Sequence, residues 1–454
     1  MNGSANHPAG DDRSTFMKPF PLFLSCLLAV GAVMSGPVFG EDGTTNWQPH
    51  VVRQVNGTAG FVGLPAQLQI VTEKWNRVVA VPYIVYMPEK DRVLMLVGCD
   101  YPHHAMVLTS DDHGATWTEP RPIRLDAEGK TLPGLGIGLT YLGEGKVMLI
   151  TDRLWFSTDY GVTWGGPDGT PEPLAIAPTP DGKPWNQWDP FLVLKDQAGS
   201  VTRLAQTGYG MNHEWYGSDK GPGYSTGYLR FSTDEGRSWG NAIAPPQWTG
   251  VSEVALLRAK NGDWVAACRT DIPARFEPET LDHLEGLAVS ISKDEGSTWS
   301  DLNRLYDYGR HHPCMVLLPD GTIVMTYVVR KGYVDSPDGW PQFGIEAIVS
   351  RNNGRSWDLD HKYILHAWKG NRTGPEYWWA SSQATSSVLL PDGSILTAFG
   401  TGYRSQPAEG GPKPRDAGLV RWRPNPEPVN DERRISDAPH DSELRDLFDP
   451  KLEE

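Results

Sequence analysis

One octapeptide pattern recurs five times along this chain of 454 residues. The copies are SDDHGATW from Ser110, STDYGVTW from Ser157, STDEGRSW from Ser232, SKDEGSTW from Ser292 and SRNNGRSW from Ser350. Asp and Ser side chains can accept hydrogen bonds from the backbone amides of a tight turn, Gly can adopt a left-handed backbone, and Trp can pack on a sheet. These octapeptides, called boxes below, therefore predict five copies of one folded turn rather than five catalytic aspartates.

Each box belongs to a longer unit. Two apolar runs separated by turn residues precede it, as in CMVLLPDGTIVMTYVV from Cys314, and a third run leads into the box. This pattern is typical of β-hairpins, and it occurs six times, the last time without a box. Six repeats of about four strands predict an all-β fold, a six-bladed β-propeller. The segment FVGLPAQLQIVTEKW from Phe61 is predicted to supply the strand that closes the last blade.

The two ends of the chain differ from this repeat. From Met17 the sequence reads MKPFPLFLSCLLAVGAVMSGPVFG, which is typical of a secretory signal peptide and too short for a comfortable membrane span. We expect translation to start at Met17, cleavage near Gly40, and a secreted or periplasmic product with no stable membrane span. Residues 427–454 are acidic and poor in apolar residues, which predicts a disordered tail. Residues 1–40 are then leader and signal peptide, and residues 41–426 are the propeller domain.

Charge and cysteine content exclude several classes of protein. A net charge of −15 argues against general binding to nucleic acid or anionic membranes. Cleavage would leave Cys99, Cys268 and Cys314, which cannot form a disulfide framework and lack metal-ligand spacing. The histidines match no metal-ligand pattern either. We therefore expect neither a metal nor another cofactor.

Repeated boxes on predicted propeller blades resemble the Asp-box (BNR-repeat) proteins of the sialidase (neuraminidase) superfamily, over about Trp75 to Arg423. The resemblance implies a site at one end of the propeller axis. In that family three arginines hold the sugar carboxylate, an aspartate is the acid/base, and a glutamate activates a tyrosine nucleophile. Guanidinium groups form bidentate hydrogen bonds with carboxylates. A tyrosine suits an anionic sugar, which would repel a carboxylate nucleophile.

Several family positions have counterparts here. The segment SEVALLRAKNGDWVAACRTD from Ser252 resembles the family segment with the glutamate and the second arginine, which implies those roles for Glu253 and Arg269. Arg330 ends the following hairpin and is the candidate third arginine. Asp100 follows the second strand of the first hairpin and is the candidate acid/base.

Two family positions are altered. Ala80 stands where the first arginine is expected, and Arg153 and Arg77 are the candidates to replace it.

Other polar residues at the same strand ends are predicted to contact substrate. They are Asp189, His311, His312 and Gln383.

The nucleophile position is the second alteration. Alignment of ASSQATSSVLLPDGS places Ala384 or Thr385 where the family has tyrosine. Tyr377 and Tyr403 are the candidates to project into the site instead. Without a tyrosine, two carboxylates far enough apart to admit a water could carry out an inverting hydrolysis.

The resemblance implies an exo-acting glycoside hydrolase that removes a terminal acidic sugar, sialic acid or a relative, from a glycan or glycoconjugate. The altered positions leave two alternatives open. One is a non-catalytic propeller that binds glycans, and the other is a polysaccharide lyase acting on uronate-containing glycans with a His or Tyr base.

Overall fold

The computed structural model describes residues 46–56, 60–100, 102–211, 225–273, 284–330, 343–368, 383–403 and 414–426. These residues form 24 β-strands, and their helical segments are the short 3-10 turns Pro88–Lys90, Pro167–Gly169 and Pro246–Trp248. Within these ranges no helix has the length and hydropathy that a membrane span requires. The all-β prediction is confirmed. The predicted signal peptide and acidic tail lie outside the described residues.

The strands are numbered in chain order, and the first two, β1 (Gln48–Val55) and β2 (Phe61–Ile70), pair as an antiparallel hairpin. Four separate sheets of consecutive strands follow. The first contains β3 (Val79–Met87), β4 (Arg92–Cys99), β5 (His104–Ser110) and β6 (Arg121–Pro122). The second contains β7 (Gly138–Gly143), β8 (Lys146–Ile150), β9 (Arg153–Ser157) and β10 (Leu174–Ala175). The third contains β11 (Leu192–Lys195), β12 (Val201–Met211) and β13 (Ser225–Ser232). The fourth contains β14 (Val251–Arg258), β15 (Trp264–Thr270), β16 (Gly286–Ser292) and β17 (Asn303–Tyr306).

The remaining strands join the N-terminal hairpin in one sheet of nine. They are β18 (Arg310–Leu317), β19 (Ile323–Val329), β20 (Phe343–Ser350), β21 (Tyr363–Trp368), β22 (Thr385–Leu389), β23 (Ile395–Tyr403) and β24 (Arg415–Trp422). The order across the sheet is β18-β19-β20-β21-β1-β2-β24-β23-β22. Gln67 of β2 lies opposite Arg421 of β24, so the predicted pairing of the early strand with the last repeat is present.

The first strands of the sheets lie beside one another. β3 contacts β7 and β22, β14 contacts β11 and β18, and β18 also contacts β22. Apolar side chains fill the space between neighbouring sheets, and Trp248 and Trp264 there are fully buried. The arrangement is propeller-like. The count of six blades stays a prediction, because the described strands form four separate sheets and one joined sheet of nine.

Each box forms the hydrogen-bonded turn that its residue types predict. In the first box, Ser110 Oγ accepts a hydrogen bond from Gly114 N at 2.7 Å, and Asp112 Oδ1 accepts one from Thr116 N at 2.8 Å. Trp117 Nε1 donates to Gly114 O at 3.1 Å. The fifth box keeps the turn, since Asn352 Oδ1 accepts from Ser356 N at 2.9 Å. The box aspartates are therefore engaged within their own turns.

The glycine of each box also lies against the sheet that precedes it, which the sequence did not predict. A Cβ added at Gly161 would lie 2.7 Å from Leu94 of the first sheet, and one at Gly354 would lie 2.7 Å from Val265 of the fourth. The other boxes approach their neighbours in the same way, Gly114 at Trp47 and Leu396, Gly236 at Met148, and Gly296 at Leu229. The boxes therefore fasten adjacent sheets together.

Substitution of a box glycine tests this contact. Gly354→Ala is expected to lower the free energy of unfolding by about 1–2 kcal/mol for its positive φ of 82°, plus about 1–3 kcal/mol for the clash with Val265. Gly393→Ala is the matched control, because Gly393 has a φ of 79° and nothing within 4 Å of the added Cβ. Denaturant unfolding of both variants measures the difference. Equal losses would show that Val265 does not sterically restrict the position of Gly354.

Candidate active site

Three first strands carry a β-bulge near the same end. Two residues oppose one between Ala80 and Tyr83 of β3, and again between Val251 and Val254 of β14. The third bulge lies in β18, between His311 and Cys314. A bulge re-aims side chains and is common beside active sites. Within these bulges lie Val81, with a φ of 39°, then Glu253, and then His312, with a φ of 58°.

Glu253 is the centre of a buried ion cluster, and its side chain is only 2% exposed. Its Oε1 accepts a hydrogen bond from Arg269 Nη1 at 2.5 Å, and its Oε2 lies 3.0 Å from His312 Nδ1. Arg269 also pairs with the equally buried Glu285. Burial alone would raise the pKa of Glu253. Arg269, His312 and Arg330 outweigh burial, and the pKa falls to about 2.

Asp189 is a second buried carboxyl beside Glu253, and 5% of its surface is exposed. Burial, followed by the negative charge of Glu253, raises the pKa of Asp189 well above its usual range. A hydrogen bond from the Val254 N–H opposes this rise only in part. The site thus contains two carboxyl groups whose pKa values are pushed in opposite directions, that of Asp189 upward and that of Glu253 downward.

Aromatic side chains enclose this pair. Tyr83 Oη donates to the backbone oxygen of Trp188 at 2.6 Å, and Trp188 Nε1 donates to Tyr209 Oη at 3.1 Å. The Trp188 indole meets the His312 ring edge-on, with centroids 5.7 Å apart. Burial is the largest cause of the raised pKa of Tyr83 and of Tyr209, so both phenols stay protonated.

Arg330 and Gln383 lie at the edge of this cluster. Arg330 Nη2 donates to the backbone oxygen of Gln383 at 3.2 Å, and Val81 N donates to Gln383 Oε1 at 3.2 Å. The strained backbone of Val81 thus holds the Gln383 side chain against the start of β3. Arg330 is also close enough to lower the pKa of Glu253.

The structure therefore brings together six of the residues predicted from sequence. They are Asp189, Glu253, Arg269, His312, Arg330 and Gln383. His311 lies beside them, fully buried, with its ring centroid 6.2 Å from that of His312. The predicted absence of a metal site stays a prediction, although the described residues contain no cluster of His, Cys, Asp and Glu able to hold an ion.

Three predicted residues lie elsewhere. Asp100 forms an ion pair with Arg77, with Oδ2 2.7 Å from Nη2, and its side chain is 43% exposed. Arg153 is exposed on β9, near Glu172. In the described part of the chain, the structure does not bring Asp100, Arg77 or Arg153 into contact with the Glu253 cluster.

The two candidate tyrosines have different outcomes. Tyr377 lies outside the described residues, so its role as a nucleophile stays a prediction. Tyr403 is described, and the guanidinium of Arg415 lies over its ring, 4.8 Å from the centroid.

The sequence did not predict the part played by Glu285, Trp188, Tyr83 and Tyr209. The sequence did contain an indication that Glu285 could belong to the site, because it is a charged residue immediately before the apolar strand β16. The same is true of Trp188, as the neighbour of Asp189. Nothing in the local pattern distinguishes Tyr83 or Tyr209 from other buried aromatic residues.

Comparisons with known proteins support the fold. No protein-family model matches the chain. A protein of unknown function from Dyadobacter fermentans is 16% identical, with a TM-score of 0.56 over 82% of this chain and 99% of that one. At this identity the likeness shows a shared fold.

Other similarities involve glycan-active proteins. A Hadza microbial sialidase is 14% identical over 76% of this chain and 66% of that one, with a TM-score of 0.49. Trypanosoma rangeli sialidase is 13% identical over 83% and 58%, with a TM-score of 0.47. A xyloglucanase from Paenibacillus sp. is 23% identical over 340 residues, which are 60% of this chain and 33% of that protein. This chain thus spans about a third of the length of that curated relative.

Proposed function

We propose that this chain is a glycoside hydrolase with Asp189 as the general acid and Glu253 as its ionised partner. The observation that carries the proposal is the pair of adjacent buried carboxyls with opposite pKa shifts. A neutral Asp189 can protonate the oxygen of a glycosidic bond, and an ionised Glu253 can activate water or stabilise positive charge on the sugar. We also propose that the described sheets make up six propeller blades. A site at the ends of the first strands would then lie at the propeller axis.

In this proposal the substrate is a glycan. Two observations bear on which glycan it is, and they favour different sugars. The resemblance of the boxes and of the Glu253–Arg269 segment to sialidases favours a terminal acidic sugar removed in exo fashion. The xyloglucanase relative favours a neutral polysaccharide. Arg269 is already paired with Glu253 and Glu285, which engages its guanidinium within the cluster.

A non-catalytic glycan-binding protein is the second candidate. Its specific support is that Arg269 and His312 lie against the two oxygens of Glu253 and that Asp189 and Glu253 are almost wholly buried. Such a cluster could serve to fix the ends of the first strands. A lyase has no comparable support from the described residues.

Product analysis on a glycan panel tests the proposal. The panel contains sialylated glycans, uronate-containing glycans and neutral polysaccharides, including xyloglucan, and each is incubated with the wild type and with Glu253→Gln. We expect free sugars or oligosaccharides with wild type and none with the variant. Binding without release would establish the second candidate, and an unsaturated uronate product would identify a lyase.

The pH dependence follows from the two pKa shifts. Asp189 acts in its protonated form, so kcat/KM is expected to fall as the pH rises through its raised pKa. Glu253 acts in its ionised form, so kcat/KM should decrease on the acidic side of the profile only near pH 2. Initial rates on the best substrate across the stable pH range measure this profile. A decrease in kcat/KM below about pH 4, where ordinary carboxyl groups titrate, would contradict the role assigned to Glu253.

Export is also part of the proposal. The apolar run after Met17 and the small residues around Phe39 support a signal peptide cleaved near Gly40. N-terminal sequencing of protein produced from the full gene tests this, and we expect the mature chain to begin near residue 41.

A further inference from the structure

A cleft of about 650 Å³ lies in the loops that lead into β7 and β11. Its volume is within the range of small-molecule sites, about 300–1,000 Å³. The walls are largely apolar and include Ile176, Pro178, Trp185 and Trp188. A few polar side chains interrupt them. This mixture is typical of a binding site rather than of a gap in packing.

The cleft begins beside the candidate active site. Trp188 lines it, contacts the His312 ring, and precedes Asp189 in the chain. A glycan whose scissile bond lay at Asp189 would therefore extend a neighbouring sugar toward Trp188. Indole rings are well suited to the apolar C–H faces of sugars, because they present large flat surfaces at little conformational cost.

The polar groups of the cleft favour a neutral ligand. Its lining residues in the described part of the chain include no Lys, Arg or His, so a sugar carboxylate would find no cation there. Asp152 lines the cleft and is exposed, which would repel a carboxylate. Gln187 also lines it, but its side chain is buried and its Oε1 accepts a hydrogen bond from Trp185 Nε1.

The wall around Trp185 is held rigidly. Trp185 Nε1 donates to Gln187 Oε1 at 3.0 Å, and the Arg230 guanidinium lies 4.0 Å from the Trp185 ring. Gly208 lets the indole approach β12, because a Cβ there would lie 2.2 Å from it. Rigid walls reduce the entropy lost on binding, so the cleft is preorganised for a ligand.

We infer that this cleft binds a neutral sugar unit of the glycan, adjoining the unit that is attacked at Asp189. The inference rests on the proposed function for the position of the scissile bond. It narrows the substrate class to glycans whose sugar at this position has no carboxylate.

Equilibrium binding of oligosaccharides tests the inference. The ligands are a xyloglucan oligosaccharide and an oligogalacturonate of the same length, measured by calorimetry with wild type or, where the ligand is cleaved, with Asp189→Asn. Pro178→Trp fills the cleft from an exposed position, and Pro319→Trp is the control, since Pro319 is also exposed and lies in the turn between β18 and β19, outside the cleft. We expect Pro178→Trp to weaken binding of the neutral ligand at least about tenfold, and Pro319→Trp to leave it unchanged.

A second variant tests the charge argument without filling the cleft. Asp152→Lys is expected to strengthen binding of the oligogalacturonate several-fold and to leave the neutral ligand unaffected. Tighter binding of the acidic than of the neutral ligand to the wild type would overturn the inference, as would equal binding by Pro178→Trp and Pro319→Trp.

The two proposals fail in different ways. If binding depends on the cleft but no glycan on the panel is cleaved, the cleft stands and the hydrolase does not. If glycans are cleaved and Pro178→Trp leaves kcat/KM unchanged, the hydrolase stands and the cleft does not.

Discussion

Replacement of Asp189 by Asn is expected to lower kcat/KM on a natural glycan by about 10²–10⁴-fold, the usual contribution of a general acid. The amide cannot protonate the leaving oxygen, although it fills the same space. An aryl glycoside with an acidic phenol as leaving group needs little protonation. The loss on that substrate is therefore expected to be much smaller, and comparison of kcat/KM on the two substrates is the measurement.

Asp416→Asn is the control for this experiment, because Asp416 is also buried and accepts a hydrogen bond from Thr72 outside the cluster. It should leave kcat/KM unchanged on both substrates. Equal losses on the two substrates in Asp189→Asn would show a structural rather than an acid role. No loss at all would remove Asp189 from the site.

Arg269→Met is expected to lower the free energy of unfolding by about 3–5 kcal/mol at neutral pH. The substitution keeps most of the volume but leaves Glu253 and Glu285 buried without their guanidinium partner. Without Arg269 the pKa values of both carboxyls rise, so protonation relieves the loss as the pH falls. Denaturant unfolding at pH 7 and at about pH 4 measures the effect and its sign.

The double variant Arg269→Met with Glu285→Gln controls for lost packing, since it removes one of the two unpaired charges. It should regain part of the stability. The sialidase resemblance implies a different result, in which Arg269 holds the substrate. Unchanged stability with a raised KM for an acidic sugar would establish that role instead.

The boxes and hairpins could be predicted from sequence because their chemistry is local. Ser110, Asp112 and Gly114 bond within one turn, so a single octapeptide contains all the information for it. The contact of Gly354 with Val265 could not be predicted in the same way. It joins two sheets, and no local pattern specifies which surface a turn will meet.

The candidate site was predicted in part for the same reason. Glu253, His312 and Asp189 stand at ends of apolar runs, where polar groups face solvent or one another. Their assembly depends on bulges in β14 and β18, which add one residue and redirect the side chains. Asp100 also follows an apolar strand, yet it pairs with Arg77. Choice of partner over such distances is set by tertiary packing, which a single sequence does not display.

The pairing of β2 with β24 has a consequence for how this protein is made. Gln67 cannot pair with Arg421 until Arg421 has left the ribosome, about 350 residues later. At about 5–20 residues per second, that delay is on the order of 20–70 s. During it, the edge of β2 has no native partner and is exposed to pairing with other chains. Newly made chains are therefore exposed to edge-to-edge aggregation until β24 has been synthesised, and slower translation should lengthen that period.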